Sequence, residues 1–297
     1  MTLPDLIGKH GNAAFDLNFD DDNLEIITDF QESSAILNAV ASDSARFASA
    51  AFQTIRRASI DVGDKERISW GIIQSYYASF YAAHAVSRVL GLSCSYFDRS
   101  HVQRIRNLGV ALGRNPAFRV KSGAYLCGVH SNSTVIKSKN LQDVAGGSHE
   151  VFWNLFSDIL DNLSVKMLDG NLSIIERQAV YAKLQSLRQV LQSRNAPLSS
   201  WLSVVRNDVQ YRHKHKIWLP ENIRAQERDR VSRILEQWKR DPMDVDIGFH
   251  LGGDLQEFSA AVAFIIAVCK AIFLRIAERS PRPAQSFAKL GPLALAA

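Results

Sequence analysis

Arg206 and His213 stand seven positions apart in the run Arg206-Asn207-Asp208-Val209-Gln210-Tyr211-Arg212-His213, and together they offer the two functions that metal-free phosphodiester cleavage needs. An imidazole has the side-chain pKa closest to neutral, so it can take and give a proton. A guanidinium stays charged and holds a phosphate through two parallel hydrogen bonds. Seven steps of about 100° return a helix to the same stripe, so a helix through this run predicts both side chains on one surface, about 10 Å apart along the axis. That separation is long for one scissile phosphate. Two copies of the helix crossing antiparallel at a twofold axis would bring Arg206 of one chain to His213 of the other, and the spacing therefore predicts a homodimer with a composite site. His213 would then move the proton of the ribose 2′-hydroxyl or of the leaving oxygen, while Arg206 stabilises the charge of the transition state. Asn207 would position the phosphate, Asp208 or Tyr211 would orient the imidazole or the substrate, and His215 is a rival for the role of His213 if the helix end unwinds. Arg212, Lys214 and Lys216 would add RNA-binding charge. The bland alternative is that these cations merely suit a helix C-terminus, where the dipole favours them, and that Arg206 and Asp208 form surface ion pairs.

The elements that must position these residues read as mostly helical. Residues 1–32, with Asp16, Asp20, Asp21 and Asp22, lack a sustained helical period and are expected to be an irregular acidic lead-in. Apolar residues recur at helical spacing from Ser33 to about Ile60. Arg67 to Leu90 follows as the most apolar helix, with Trp70, Tyr76, Tyr77, Phe80 and Tyr81, stopped by Gly91. Its aromatics predict core packing, with base stacking as the alternative. A helix over Asp98 to Gly113 carries Arg99, Arg104 and Arg106, with Arg114, Arg119 and Lys121 close behind. This cluster is either the wall of a phosphate-binding groove or a solvated face. Short alternating runs between Ala117 and Gly147 predict a hairpin or a long loop. Ser148 opens another helix, to about Leu168, and Asp169-Gly170-Asn171 marks a break. Ser173 with Glu176 reads as a capping box opening a helix to Arg194. Ser199 or Ser200 is expected to cap the helix that carries Arg206, with Trp201, Leu202, Val205, Val209 and Ile217 on its buried side. Two more helices, about Glu221 to Lys239 and Leu255 to Arg279, complete a bundle. The domains expected are therefore the lead-in, an N-terminal helical region over 33–170, a C-terminal helical bundle over 171–280, and a flexible tail over 281–297.

The Arg206-Asn207 start, the His213 end and the helical surroundings resemble the HEPN superfamily, and the small-and-aromatic stretch Tyr76 to Ala83 is similar to a helix common in its bundles. The resemblance implies an all-α, HEPN-like bundle and a dimeric, metal-independent endoribonuclease leaving a 2′,3′-cyclic phosphate and a 5′-hydroxyl. It also implies a toxin of a toxin–antitoxin or antiphage system, with a cognate antitoxin as a further partner. A non-catalytic nucleotide- or RNA-binding or dimerisation module is the alternative, since fold does not fix function.

Composition is compatible with these readings. The chain has 297 residues, 46% hydrophobic and 22% charged, with a formal net charge of +5. That profile excludes general disorder and suits, without requiring, a nucleic-acid partner. Three widely spaced cysteines and the absence of a charged-then-apolar start predict a reducing cytoplasm. Phe258 to Leu274 is apolar, but Ser259, Cys269 and Lys270 interrupt it, which predicts a core helix rather than a membrane span. His149-Glu150 lacks the second His of a zinc-protease helix, Cys127 and His130 have no partner pair, and no Gly-rich phosphate loop with a following Lys occurs. Neither metal nor organic cofactor is expected.

Overall fold

The computed structural model describes residues 3–9, 14–20, 23–113, 119–130, 134–141, 147–169, 172–221, 223–248 and 251–296. Arg114, Asp21, Asp22, Gly170 and Asn171 lie outside the described residues. The chain divides into two compact units, residues 1–46 with 87–148, and residues 47–86 with 149–297. None of the three boundaries falls at the Asp169 break, because each unit is built from segments distant in sequence.

Unit 1 departs most from the all-helical expectation. Its described residues hold a helix α1 (Leu3–Lys9) and five strands: β1 (Ala14–Asp20), β2 (Asn23–Asp29), β3 (Leu92–Phe97), β4 (Gly123–His130) and β5 (Val135–Asn140). They form one antiparallel sheet in the order β1-β2-β5-β4-β3. The lead-in is thus a helix and a strand pair, and the expected hairpin, β4 with β5, is the middle of a larger sheet. Alternation explains both: Phe15, Leu17 and Phe19 are separated by polar residues, and Tyr125 and Cys127 of β4 are buried with Ile136 of β5 and Phe97 of β3. Helix α4 (Arg99–Ala111) starts with Asp98 accepting from the backbone of Ser100 and His101, and it buries Val102 and Ile105 in the same core.

Unit 2 is helical and carries the residues of interest. Helix α2 (Ser33–Gly63) gives it residues 47–63, and α3 (Ile68–Val89) gives it residues 68–86. Asp61, near the end of α2, receives Arg57, Arg67 and Gln74, which ties the turn to the start of α3. Helices α5 (Ser148–Leu168), α6 (Ile174–Leu191), α7 (Trp201–Gln210), α8 (Ala225–Leu235) and α9 (Asp254–Arg279) follow. The Ser173–Glu176 capping box is present at α6. Ser200 precedes α7 but caps nothing, since its hydroxyl donates to the Pro197 carbonyl. The start of α7 is held instead by Arg194, which pairs with Asp254 and Glu257 of α9 and lies 4.8 Å over the Trp201 ring.

Helix α9 is long and apolar enough to cross a membrane, yet Leu255, Phe258, Phe264, Ile266 and Phe273 are buried inside unit 2. The tail expected to be flexible is ordered: α10 (Phe287–Leu290) and α11 (Pro292–Leu295) bury Ala288 and Leu293, and Phe287 meets Phe273 of α9 edge-on. Apolar residues spaced for such short turns carry too little period to be read as helix.

Gly71 lets α3 lie against the end of α2, because a Cβ there would stand 2.6 Å from the Val62 amide nitrogen. Gly71→Ala is expected to cost about 1–3 kcal/mol of unfolding free energy through overpacking, read as a lower urea midpoint with an unchanged slope.

Candidate functional site

Helix α7 places Arg206 inside unit 2, at 8% exposure. Its guanidinium carbon lies 5.0 Å over the Tyr76 ring and 5.7 Å over the Tyr77 ring of α3, a cation held by the faces of two aromatics. One terminal nitrogen donates to the Gln210 side chain at 3.3 Å, and Nε is buried without a partner among the described residues. No carboxylate pairs with Arg206 among the described residues. Asp208, two positions on, is taken by Arg212 at 2.8 Å and Lys214 at 3.0 Å. Burial would raise the Asp208 carboxyl, but the bonds from Lys214 and Arg212 outweigh it and hold it below the usual carboxylate range.

A polar chain runs from this guanidinium through the core. The Trp153 indole of α5 donates to the Tyr76 hydroxyl at 3.1 Å, and that hydroxyl lies 2.6 Å from His149 Nδ1. An indole can only donate, so the Tyr76 oxygen accepts from it; in the tautomer with Nδ1 protonated that oxygen also accepts from His149 Nδ1–H, its own proton being available to Ser203. In that tautomer the free lone pair of the neutral imidazole is on Nε2. The His149 ring stacks on Phe80 at 4.4 Å and is half-buried. Burial pushes its pKa down and the nearby Arg206 charge pushes it further, so the imidazole is neutral near pH 7. Burial likewise raises the Tyr76 phenol, opposed by bonds from Ser203 and Trp153 and by Arg206. Arg206, Ser203, Tyr76 and His149 thus converge from α7, α3 and α5; His149, set aside in the sequence for want of a second His, was not connected to Arg206 because no local spacing joins them.

The expected partnership of Arg206 with His213 on one helix is corrected. Helix α7 ends at Gln210, and His213 adopts a left-handed backbone (φ 50°). The chain folds back because Asp208 draws in Lys214, six positions on, and the Trp218 indole donates to the Val209 carbonyl at 2.7 Å, satisfying a helix-end acceptor. His213 is exposed and stacks on Trp218 at 5.6 Å. His215 does not replace it: the ring is half-buried with Nε2 unpartnered among the described residues, and burial pushes its pKa down. Asn207 is half-buried on α7, and Tyr211, Arg212, Lys214 and Lys216 are exposed around the fold-back.

Of the cations expected to bind RNA from α4, all belong to unit 1. Arg99 and Arg104 are exposed, whereas Arg106 donates to the Val120 carbonyl and serves as a brace for that segment. The three thiols offer no nucleophile, since burial raises Cys94 to about 11, Cys127 to about 12 and Cys269 higher still. The α3 aromatics divide: Tyr76 is core, while Trp70 is exposed and Tyr77 and Tyr81 are half-buried.

Comparison with protein-family models, with curated proteins and with solved structures finds no match for this chain.

The lowered His149 pKa has a definite sign in stability. Its contribution is present above the ordinary imidazole pKa of about 6.5 and is lost as pH falls through the lower folded value. Arg206→Gln removes one of the two causes, so the His149 titration midpoint followed by NMR is expected to move upward. An unchanged midpoint would mean that the Arg206 charge does not reach the ring.

Proposed function

We propose that the chain is a metal-independent endoribonuclease in which Arg206 anchors the scissile phosphate and His149 moves the proton. The observation that carries this reading is the buried Arg206 guanidinium, paired with no carboxylate among the described residues. A buried charge without a counter-ion costs several kcal/mol. An anionic ligand would supply that counter-ion, and a phosphate matches the guanidinium fork. His149, neutral and within the field of Arg206, is suited to accept the ribose 2′-hydroxyl proton as the 2′-oxygen bonds to phosphorus. The bond from phosphorus to the 5′-oxygen breaks, the proton returns to that oxygen, and the products are a 2′,3′-cyclic phosphate and a 5′-hydroxyl. Arg206 stabilises the charge that accumulates on the phosphoryl oxygens.

The Arg206-Asn207 resemblance to HEPN proteins supports the same chemistry. It extends to a HEPN-like bundle in unit 2, a homodimer, and a role as a toxin, arresting growth by RNA cleavage and restrained by an antitoxin. One observation favours a second reading, a non-catalytic RNA- or nucleotide-binding module. The helical Arg206–His213 pair is not formed within the chain, and a phosphate bound at Arg206 would satisfy the guanidinium without any reaction.

Purified protein incubated with mixed RNA in excess EDTA decides between them. Cleavage to cyclic-phosphate ends is expected, falling about 100-fold or more in Arg206→Ala and His149→Ala. RNA that stays intact while bound by the wild type and released by Arg206→Ala would establish the binding module instead, and cleavage undiminished in His149→Ala would remove His149 from the mechanism.

A further inference from the structure

The fold-back after α7 builds a surface that neither the core nor the Arg206 site uses. Trp70 is 51% exposed on α3, on the same stripe as Tyr77 and about 10 Å from it along the helix. Trp218 meets Trp70 edge-to-face at 5.6 Å, with an interplanar angle of 80°. His213 lies against Trp218 at 5.6 Å and only 29° from parallel. These rings are held in place. The Trp218 indole is bonded to the Val209 carbonyl, and the segment that presents His213 is clamped by Lys214 to Asp208. His213 reaches its position through a left-handed backbone, which costs a non-glycine residue about 1–2 kcal/mol. Tyr211, two positions before His213, is 67% exposed.

The charge on the fold-back is one-sided. Residues 206–220 carry four cations, Arg206, Arg212, Lys214 and Lys216, against the single carboxylate of Asp208. The last three cations are exposed. An apolar partner surface would have to desolvate them. A polyanion would pair with them, and its bases have flat faces that match exposed indole and imidazole planes. Paired bases hide those faces inside a duplex, so only an unpaired strand can use them.

We propose that Trp70, Trp218 and His213 form a stacking platform for the unpaired bases of single-stranded RNA, with Lys216 on its phosphates, and that His213 acts there as an aromatic plane. This deepens the endoribonuclease reading by naming a single-stranded substrate, and the two can fail separately. Along α3 the platform leads to Tyr77, whose ring lies under the Arg206 guanidinium. A strand stacked at Trp70 is thereby directed toward the proposed phosphate anchor.

The full-length protein is titrated in EDTA with a fluorescent 2′-O-methyl RNA strand, which cannot be cleaved, and with the same strand in a duplex. Single strand is expected to bind at least tenfold tighter and to quench tryptophan fluorescence. Trp70→Ala, an exposed position whose loss spares the core, is expected to weaken single-strand binding about tenfold. His213→Ala is expected to weaken it likewise, while His213→Phe restores it, since a phenyl plane stacks but transfers no proton. Replacing Lys216 by Gln should flatten the dependence of affinity on salt.

Equal affinity for the duplex, wild-type binding by Trp70→Ala, or failure of His213→Phe to rescue would each overturn the platform. A further outcome would also do so: Trp70→Ala turning a dimer into a monomer in sedimentation with unchanged RNA affinity would make the surface a self-association face. Cleavable RNA separates the two proposals. Single-strand binding that depends on Trp70 without any cleavage keeps the platform and removes the nuclease, whereas cleavage that persists in Trp70→Ala at saturating RNA keeps the nuclease.

Discussion

The guanidinium of Arg206 resting on the faces of Tyr76 and Tyr77 is the interaction on which the arrangement of α3, α5 and α7 in unit 2 depends. It fixes α7 against α3 and places a permanent charge beside the Trp153–Tyr76–His149 hydrogen-bond chain. It also lowers the proton affinity of the one imidazole in that chain. A buried arginine is usually explained by an acid. Here the nearest candidate in sequence, Asp208, is engaged elsewhere, and aromatic faces give only part of what a carboxylate would. The site is therefore built around an electrostatic deficit.

That deficit survives because other groups absorb the strain of placing it. Arg194 secures the start of α7 through two carboxylates of α9 and the Trp201 face, and Trp218 closes its end by taking the Val209 carbonyl. A ten-residue helix would be marginal alone. Clamped at both ends, it holds Ser203 and Arg206 toward α3 and sends the cationic run 212–216 back across the surface. Burial and exposure are thus partitioned within fifteen residues: one cation is sunk into an aromatic cage, and three remain in water beside exposed rings.

Much of this was legible from residue pattern. Helical periods located α2, α3, α4, α5, α6 and α9 closely, and the Ser173–Glu176 box was readable because its two bonds involve residues three apart. The strands of residues 14–29 were missed despite the alternation of Phe15, Leu17 and Phe19, because a two-stranded signal means little until β5 pairs with β2 across more than a hundred residues. The ordered tail was missed for a related reason, since four-residue helices gain their stability from α9 and not from their own turns.

Arg206 was legible as the residue to examine, being a fixed cation followed by a polar pair in an amphipathic helix. The imidazole near it was not. Helical arithmetic assigned His213, which holds only while the helix continues, and the helix stops at Gln210 because two long-range bonds, Lys214 to Asp208 and Trp218 to Val209, outcompete another turn. His149 reaches the same site from α5 through contacts that no local spacing encodes. The sequence by itself determined most of the helical elements, the cationic run and Arg206 as the cation to examine, though not its burial, since periodicity and charge act over one or two turns. Tertiary structure alone decided which imidazole shares its field, because burial and hydrogen-bond partners are properties of segments that meet only after folding.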